Sequence, residues 1–113
     1  MSKNFEKTLD EMVTVYMMAL LHYGIDNQLF QAVEEMAELT KELSKFRRGE
    51  PNRAAVVEEL VDVEIMHTQM MLLFDINGDE YTKLMEQKID RLKKRIEDAQ
   101  RAEHMDSNRQ KYS

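Results

Sequence analysis

The chain contains no cysteine, so disulfide bridges and thiolate metal sites are excluded. It has only one proline and three glycines, which means that few residues break helices and that long helices are expected. The most apolar segment, residues 65–74, is interrupted by His67, Thr68 and Gln69 and is too short to span a membrane. The first residues lack the apolar stretch of a secretion signal. We therefore expect a cytoplasmic protein with no membrane partner.

The chain also has fewer basic residues than acidic ones. Sixteen Lys and Arg residues stand against 22 Asp and Glu residues, which gives a formal net charge of −6. This balance argues against a nucleic acid polymer as a partner, because no segment is basic enough to follow a phosphate backbone. A single nucleotide remains compatible with the chain, since a bound cation and a few local basic side chains can reverse the sign of the charge at one site.

Hydrophobic periodicity predicts four helices and no strand. Apolar residues recur at three- and four-residue intervals in four stretches, separated by short segments that contain the glycines and the proline. The expected helices cover residues 5–22, 28–47, 53–74 and 80–103. A chain of 113 residues forms one domain, which we place at residues 1–104, and residues 105–113 are expected to be a disordered tail. The expected fold class is therefore all-α, a four-helix bundle.

Two of these helices carry informative apolar patterns. The third is apolar on nearly all sides, which predicts a central position in the bundle. The fourth has a narrow apolar stripe at Met85, Ile89, Leu92 and Ile96, with the alternating spacing of a coiled-coil seam. Together the helices carry more apolar surface than one short chain can cover, so we expect a homodimer or a higher homo-oligomer to complete the core.

The most informative polar features are two acidic segments on successive helices. The segment EEMAE at positions 34–38 lies on the second helix, and EELVD at positions 58–62 lies on the third. Residues three apart on a helix are separated by about 60° around its axis, so Glu35 and Glu38 share one face and Glu59 and Asp62 share another. Glu59 and Asp62 interrupt an apolar stripe, where unpaired carboxylates are costly. If the two helices pack antiparallel, the four carboxylates converge and suit magnesium or manganese.

The alternative interpretation is that these acids only keep helix surfaces solvated. This applies most readily to Glu34 considered alone and to Glu42, Glu64 and Glu86. It applies less well to the pair Glu59 and Asp62, because the residues next to them on the helical projection are Met and Val.

The two acidic motifs together resemble the signature of the MazG-like nucleoside triphosphate pyrophosphohydrolases. These all-α enzymes share a superfamily with dimeric dUTPases and phosphoribosyl-ATP pyrophosphohydrolases. The resemblance covers residues 8–96 and includes the segment HYGI at positions 22–25 and the segment KIDRL at positions 88–92. It implies a magnesium site formed by Glu35, Glu38, Glu59 and Asp62, with Glu34 beside it.

The reaction that the resemblance implies is hydrolysis of a nucleoside triphosphate to the monophosphate and pyrophosphate. A water attacks the α-phosphorus, and Glu34 or Glu38 is the expected general base. Lys88 and Arg91, three apart on one helix face, are expected to bind the phosphates, although a solvated basic face is the alternative. The base is expected to occupy an apolar pocket formed by aromatic residues among Tyr16, Phe30 and Tyr81.

Two rival functions remain open from the sequence. Glu64 and His67 have the Glu-x-x-His spacing of di-iron carboxylate bundles, but such bundles need two of these motifs and the chain has one. A helical dimer that serves only as an interaction module would explain the stripe on the fourth helix. It would not explain why Glu59 and Asp62 lie on an apolar face.

Overall fold

The computed structural model describes the backbone of residues 2–112 and the side chains of residues 9–110. Four helices account for nearly all of this range, and no strand occurs within it. The helices are α1 (Ser2–Tyr23), α2 (Ile25–Arg47), α3 (Arg53–Leu73) and α4 (Gly78–Tyr112). The expectation of an all-α chain with four helices is confirmed.

The turn between α1 and α2 consists of Gly24 alone. Its φ of 87° lies in the left-handed region that residues with a Cβ avoid, so glycine is required here. Its backbone N–H donates to the Leu20 carbonyl at 3.1 Å, and its own carbonyl accepts from the Gln28 N–H at 3.1 Å. Gly24 thus ends one helix and begins the next. The predicted start of α2 at residue 28 was wrong, because no separate capping residue is needed.

The turn between α2 and α3 is tied back to α2 by a side chain. Gly49, with a φ of 94°, donates its N–H to the Phe46 carbonyl at 2.9 Å and ends the helix. Asn52, directly before α3, donates from Nδ2 to the Glu42 carbonyl at 2.9 Å and to Glu42 Oε2 at 2.6 Å. These bonds fix the direction in which α3 leaves the turn.

Helices α1, α2 and α3 pack against one another, with α3 in contact with both of the others. Each helix contributes one buried apolar side chain within residues 9–110, namely Tyr16, Ala32 and Met66. The buried polar side chains in the same range are Gln28 and Gln69. Tyr16 is therefore a core residue, and it also lines a largely apolar cavity between α1 and α3, so its predicted place in a base pocket stays a prediction.

The chain divides into two compact units, Met1–Asp75 and Ile76–Ser113. The boundary between these units lies before α4; the sequence-based boundary between residues 104 and 105 divided a helical domain from a tail, which is a different division. Helix α4 also continues to Tyr112, through most of the segment expected to be a tail; Ser113 and Met1 lie outside the described residues. The helix continues because no glycine or proline follows Gly78 and many of the terminal residues favour helices.

Within the second unit, α4 presents its predicted stripe to the solvent. Met85, Ile89, Leu92 and Ile96 are all exposed. Two ion pairs follow the helix, Lys93 with Glu97 and Arg101 with Asp98, both at 4.0 Å. Among the described residues, none of the four helices is both long enough and apolar enough to cross a membrane.

Candidate metal centre

Two polar contacts show in which direction α2 and α3 run relative to each other. Gln28 contacts Gln69 near the start of α2, and Glu42 contacts Asn52 near its end. The residue number of the contacting partner falls from 69 to 52 as the residue number on α2 rises from 28 to 42, so the two helices run antiparallel. This is the arrangement that would bring the two acidic segments face to face.

The acidic segments meet in the middle of this helix pair. One carboxylate oxygen from each of Glu35, Glu59 and Asp62 lies within 4.8 Å of the other two. Glu59 and Asp62 reach this point together because residues three apart share a face of α3. We call these three residues the carboxylate cluster.

Glu59 is the electrostatic centre of the carboxylate cluster. Its Oε2 is buried and has no hydrogen-bond partner among the described residues. Loss of contact with water raises the pKa of Glu59, and the negative charges of Asp62, Glu35, Glu38 and Glu42 raise it further. A cation at this position would give the buried oxygen a partner and reduce the repulsion. The chemistry of the donor set, all carboxylate oxygen, fits magnesium or manganese.

Glu35 is held in place by its own helix. Gln31, one turn earlier on α2, donates from Nε2 to Glu35 Oε1 at 2.7 Å. Both residues are half-buried, so this bond restricts the carboxylate to the side of α2 that faces α3.

The other two acids of the EEMAE segment occupy different positions. Glu38 is exposed and lies outside the carboxylate cluster, although its charge acts on Glu59. Glu34 is exposed and lines a cavity at the start of α2. The structure thus brings together three of the four residues expected to bind metal, with Glu38 adjacent.

Glu42 was assigned to a solvated face, and this assignment was wrong. Its side chain is only 13% exposed. The hydrogen bond from Asn52 lowers the pKa of Glu42, partial burial opposes this change, and the charge of Lys45, whose Nζ lies 3.4 Å from Oε1, lowers the pKa again. Glu42 therefore stays ionised beside Asn52 and Lys45, and its negative charge acts on Glu59 of the carboxylate cluster.

The remaining predicted residues lie elsewhere. Lys88 and Arg91 are exposed on α4, in the second unit. Glu64 and His67, the two residues of the di-iron spacing, are exposed on α3 and are not among the three residues of the carboxylate cluster.

A cavity of about 610 Å³ lies at the start of α2, and one of its lining residues, Gln31, donates to Glu35 of the carboxylate cluster. Its lining includes two aromatic rings and four side-chain amides: Tyr23, Phe30, Asn27, Gln28, Gln31 and Gln69. Gln28 Nε2 donates to Gln69 Oε1 at 2.6 Å, and the two residues are only 6% and 4% exposed. Sequence reasoning expected Phe30 near the base but missed both glutamines. The available signal was Gln69, an uncharged polar residue within the most apolar segment of the chain.

Comparison of the chain with protein-family models, with curated proteins and with solved structures finds no match.

Proposed function

We propose that this protein is a magnesium-dependent nucleoside triphosphate pyrophosphohydrolase, which converts a ribo- or deoxyribonucleoside triphosphate to the monophosphate and pyrophosphate. The observation that carries this proposal is the carboxylate cluster, in which two helices direct three acids toward one point and leave a buried oxygen of Glu59 without a partner among the described residues. The resemblance of the two acidic motifs to MazG-like enzymes supplies the reaction.

Glu35, Glu59 and Asp62 would hold the cation; Glu38, the fourth expected ligand, lies outside the carboxylate cluster and acts on Glu59 through its charge. When bound, magnesium or manganese supplies positive charge that stabilises the negative charge developing on the triphosphate. Gln31 orients Glu35, and Oε2 of Glu59 is shielded from water. These residues preorganise the carboxylates before any ligand binds.

Glu38 is the residue that we favour as the general base, because its charge acts on Glu59 while its carboxylate stays outside the cluster. In this role it accepts a proton from the water that attacks the α-phosphorus. Glu34, the alternative base, lines the neighbouring cavity. Lys88 and Arg91 would bind the phosphates through charge-assisted hydrogen bonds.

We also propose that the functional form is a homodimer, in which a four-helix bundle is completed by a second copy. The exposed stripe of α4 supports this, as does the small number of buried apolar side chains within residues 9–110. The same exposed surface would serve the alternative function, a non-catalytic interaction module, so activity must be measured directly.

The experiment is a screen of the common ribo- and deoxyribonucleoside triphosphates with magnesium, with the products separated by chromatography. We expect monophosphate and pyrophosphate, because the attack is at the α-phosphorus. Asp62→Asn should lower kcat by on the order of 10²-fold or more, because it removes a charged ligand. Glu64→Gln, on the same helix but outside the cluster, is the matched control. Diphosphate and orthophosphate as the main products would contradict the mechanism, and no hydrolysis of any triphosphate would favour the interaction module.

A further inference from the structure

The cavity at the start of α2 contains a buried pair of amides whose hydrogen-bonding capacity is only partly used. A glutamine amide offers two N–H donors and one oxygen acceptor. The bond between Gln28 and Gln69 uses one donor of Gln28 and the oxygen of Gln69. This leaves one N–H and the oxygen of Gln28, and both N–H groups of Gln69, in two side chains that are more than nine-tenths buried and line the cavity.

Buried polar groups of this kind require a partner. Neither Gln28 Oε1 nor Gln69 Nε2 is among the fully buried atoms of the described side chains that lack a partner, and both side chains line the cavity. A flat ligand that has donors and acceptors along one edge would satisfy them. The remaining groups of Gln28 are one N–H donor and one oxygen acceptor on the same amide. They fit a ligand edge on which a hydrogen-bond acceptor lies next to a donor.

The rings at the rim of the cavity fit the faces of the same ligand. Tyr23 and Phe30 are 58% and 64% exposed, although both are aromatic. Exposed rings beside polar groups are the arrangement with which proteins stack nucleobases. Met66, which is buried, forms part of the floor and offers a polarisable surface.

The spacing between the cavity and the carboxylate cluster follows from the antiparallel register. Gln28 precedes Glu35 by seven residues on α2, and Gln69 follows Asp62 by seven residues on α3. Seven residues of helix correspond to about 10 Å, or two turns, on both helices. Gln31 lies between the two levels, where it lines the cavity and donates to Glu35. One ligand that has a polar planar end and an anionic end can therefore lie along the helix pair.

We propose that this cavity binds the base of the nucleotide substrate, with Gln28 and Gln69 reading its hydrogen-bonding edge and with Tyr23 and Phe30 stacking on its faces. This inference rests on the proposed function for the identity of the ligand as a nucleotide. It differs from the sequence-based expectation of an apolar base pocket, because here the recognition groups are amides.

The test uses ligands without phosphates, so that it does not depend on hydrolysis or on metal. Uridine and the four common deoxyribonucleosides are titrated into the metal-free protein, and binding is followed by the NMR signals of the backbone amides, which the parent and all variants retain. The variants are Gln28→Met, Gln69→Met and the double variant, which keep side-chain volume but lack the amides. Gln87→Met, on the side of α4 away from its apolar stripe, is the matched control.

We expect the parent and the control to bind at least one nucleoside with a preference among bases, and we expect the double variant to bind it at least tenfold more weakly. Nucleoside binding without triphosphate hydrolysis would support the base site and contradict the proposed function. Hydrolysis without nucleoside binding, or with an unchanged base preference in the folded double variant, would overturn the base site and leave the proposed function standing.

Discussion

At the residue scale, Glu59 shows how close packing of several carboxylates changes a pKa and, with it, the stability of the folded chain. Its desolvation raises its pKa above the usual value of 4.5, and four neighbouring acids add to the effect. The folded chain therefore binds a proton at Glu59 more readily than the unfolded chain does. The resulting stability is fully present below about pH 4.5 and is lost as the pH rises through the raised pKa.

This gives a prediction for Glu59→Gln in the absence of divalent metal. We expect the variant and the parent to melt at similar temperatures below pH 4.5 and the variant to melt higher at pH 7, because it cannot acquire the buried charge. Thermal unfolding in EDTA across this range measures the difference. Glu58→Gln, at an exposed neighbouring position, is the control. Parallel pH profiles for Glu59→Gln and the parent would show that Glu59 is not under electrostatic stress.

The pair Gln28 and Gln69 gives a second prediction at this scale, which concerns stability alone. Replacing one of them with Met leaves the other amide buried without its partner, which costs about 1–3 kcal/mol. Replacing both with Met removes both polar groups, and the free energy of unfolding should return close to that of the parent. Urea denaturation of the two single variants and the double variant measures this coupling. A double variant whose loss equals the sum of the single losses would contradict it.

At the scale of the helices, the predictions made from the sequence were most accurate where the hydrophobic periodicity is strong. The bounds of α3 were predicted within one residue, because Pro51 and the turn at Gly78 enclose a single stretch that is rich in apolar residues and contains no glycine or proline. The facing of Glu35 with Glu59 and Asp62 also followed from spacing and an antiparallel turn. The start of α2 was missed, because a single glycine can serve two helices at once.

Other features depend on tertiary contacts that spacing does not encode. Glu42 was expected to be solvated, but Asn52 is brought to it by the turn ten residues later in the chain. The contact between Gln28 and Gln69 joins residues 41 positions apart, and only the register of α2 and α3 reveals it. Glu38 lies outside the carboxylate cluster because of the direction of its side chain. A helical projection predicts the helix face of a residue but not the direction in which its side chain extends.

The basic residues of α4 provide the prediction at the element scale. If Lys88 and Arg91 bind phosphates, each contributes a charge-assisted hydrogen bond of about 1.5–3 kcal/mol, and replacing either with Ala should lower kcat/KM by about tenfold or more. Steady-state kinetics with the preferred triphosphate measures this. Lys94→Ala, another exposed lysine of α4, is the control. Unchanged kinetics in the Lys88→Ala, Arg91→Ala double variant would move the phosphate site to the turn around Arg47, Arg48 and Arg53.

At the scale of the whole molecule, the prediction concerns the exposed apolar stripe of α4. Met85, Ile89, Leu92 and Ile96 form one continuous stripe that water contacts in the single chain. An apolar stripe with this spacing packs against the matching stripe of another helix. A second copy of the chain provides such a helix, because it carries the same stripe.

We therefore predict that the protein is a homodimer in solution and that Leu92→Lys weakens the dimer by placing a charge in the stripe. Light scattering over a range of protein concentrations measures the mass, and it should approach that of the monomer in the variant at low concentration. Leu84→Lys is the matched control, because Leu84 is equally exposed but lies off the stripe. A parent protein that stays monomeric at high concentration would contradict the prediction.

The carboxylate cluster as a site for a divalent cation is the central claim, and a magnesium titration of the melting temperature tests it most directly. A ligand that binds only the folded chain stabilises it by about 1.4 kcal/mol at ten times its dissociation constant, which raises the melting temperature of a domain this size by several degrees. We predict this rise for the parent and for Glu64→Gln, and its loss in Asp62→Asn and Glu59→Gln. An unchanged melting temperature in the parent at millimolar magnesium or manganese, or an equal rise in all four proteins, would contradict the claim.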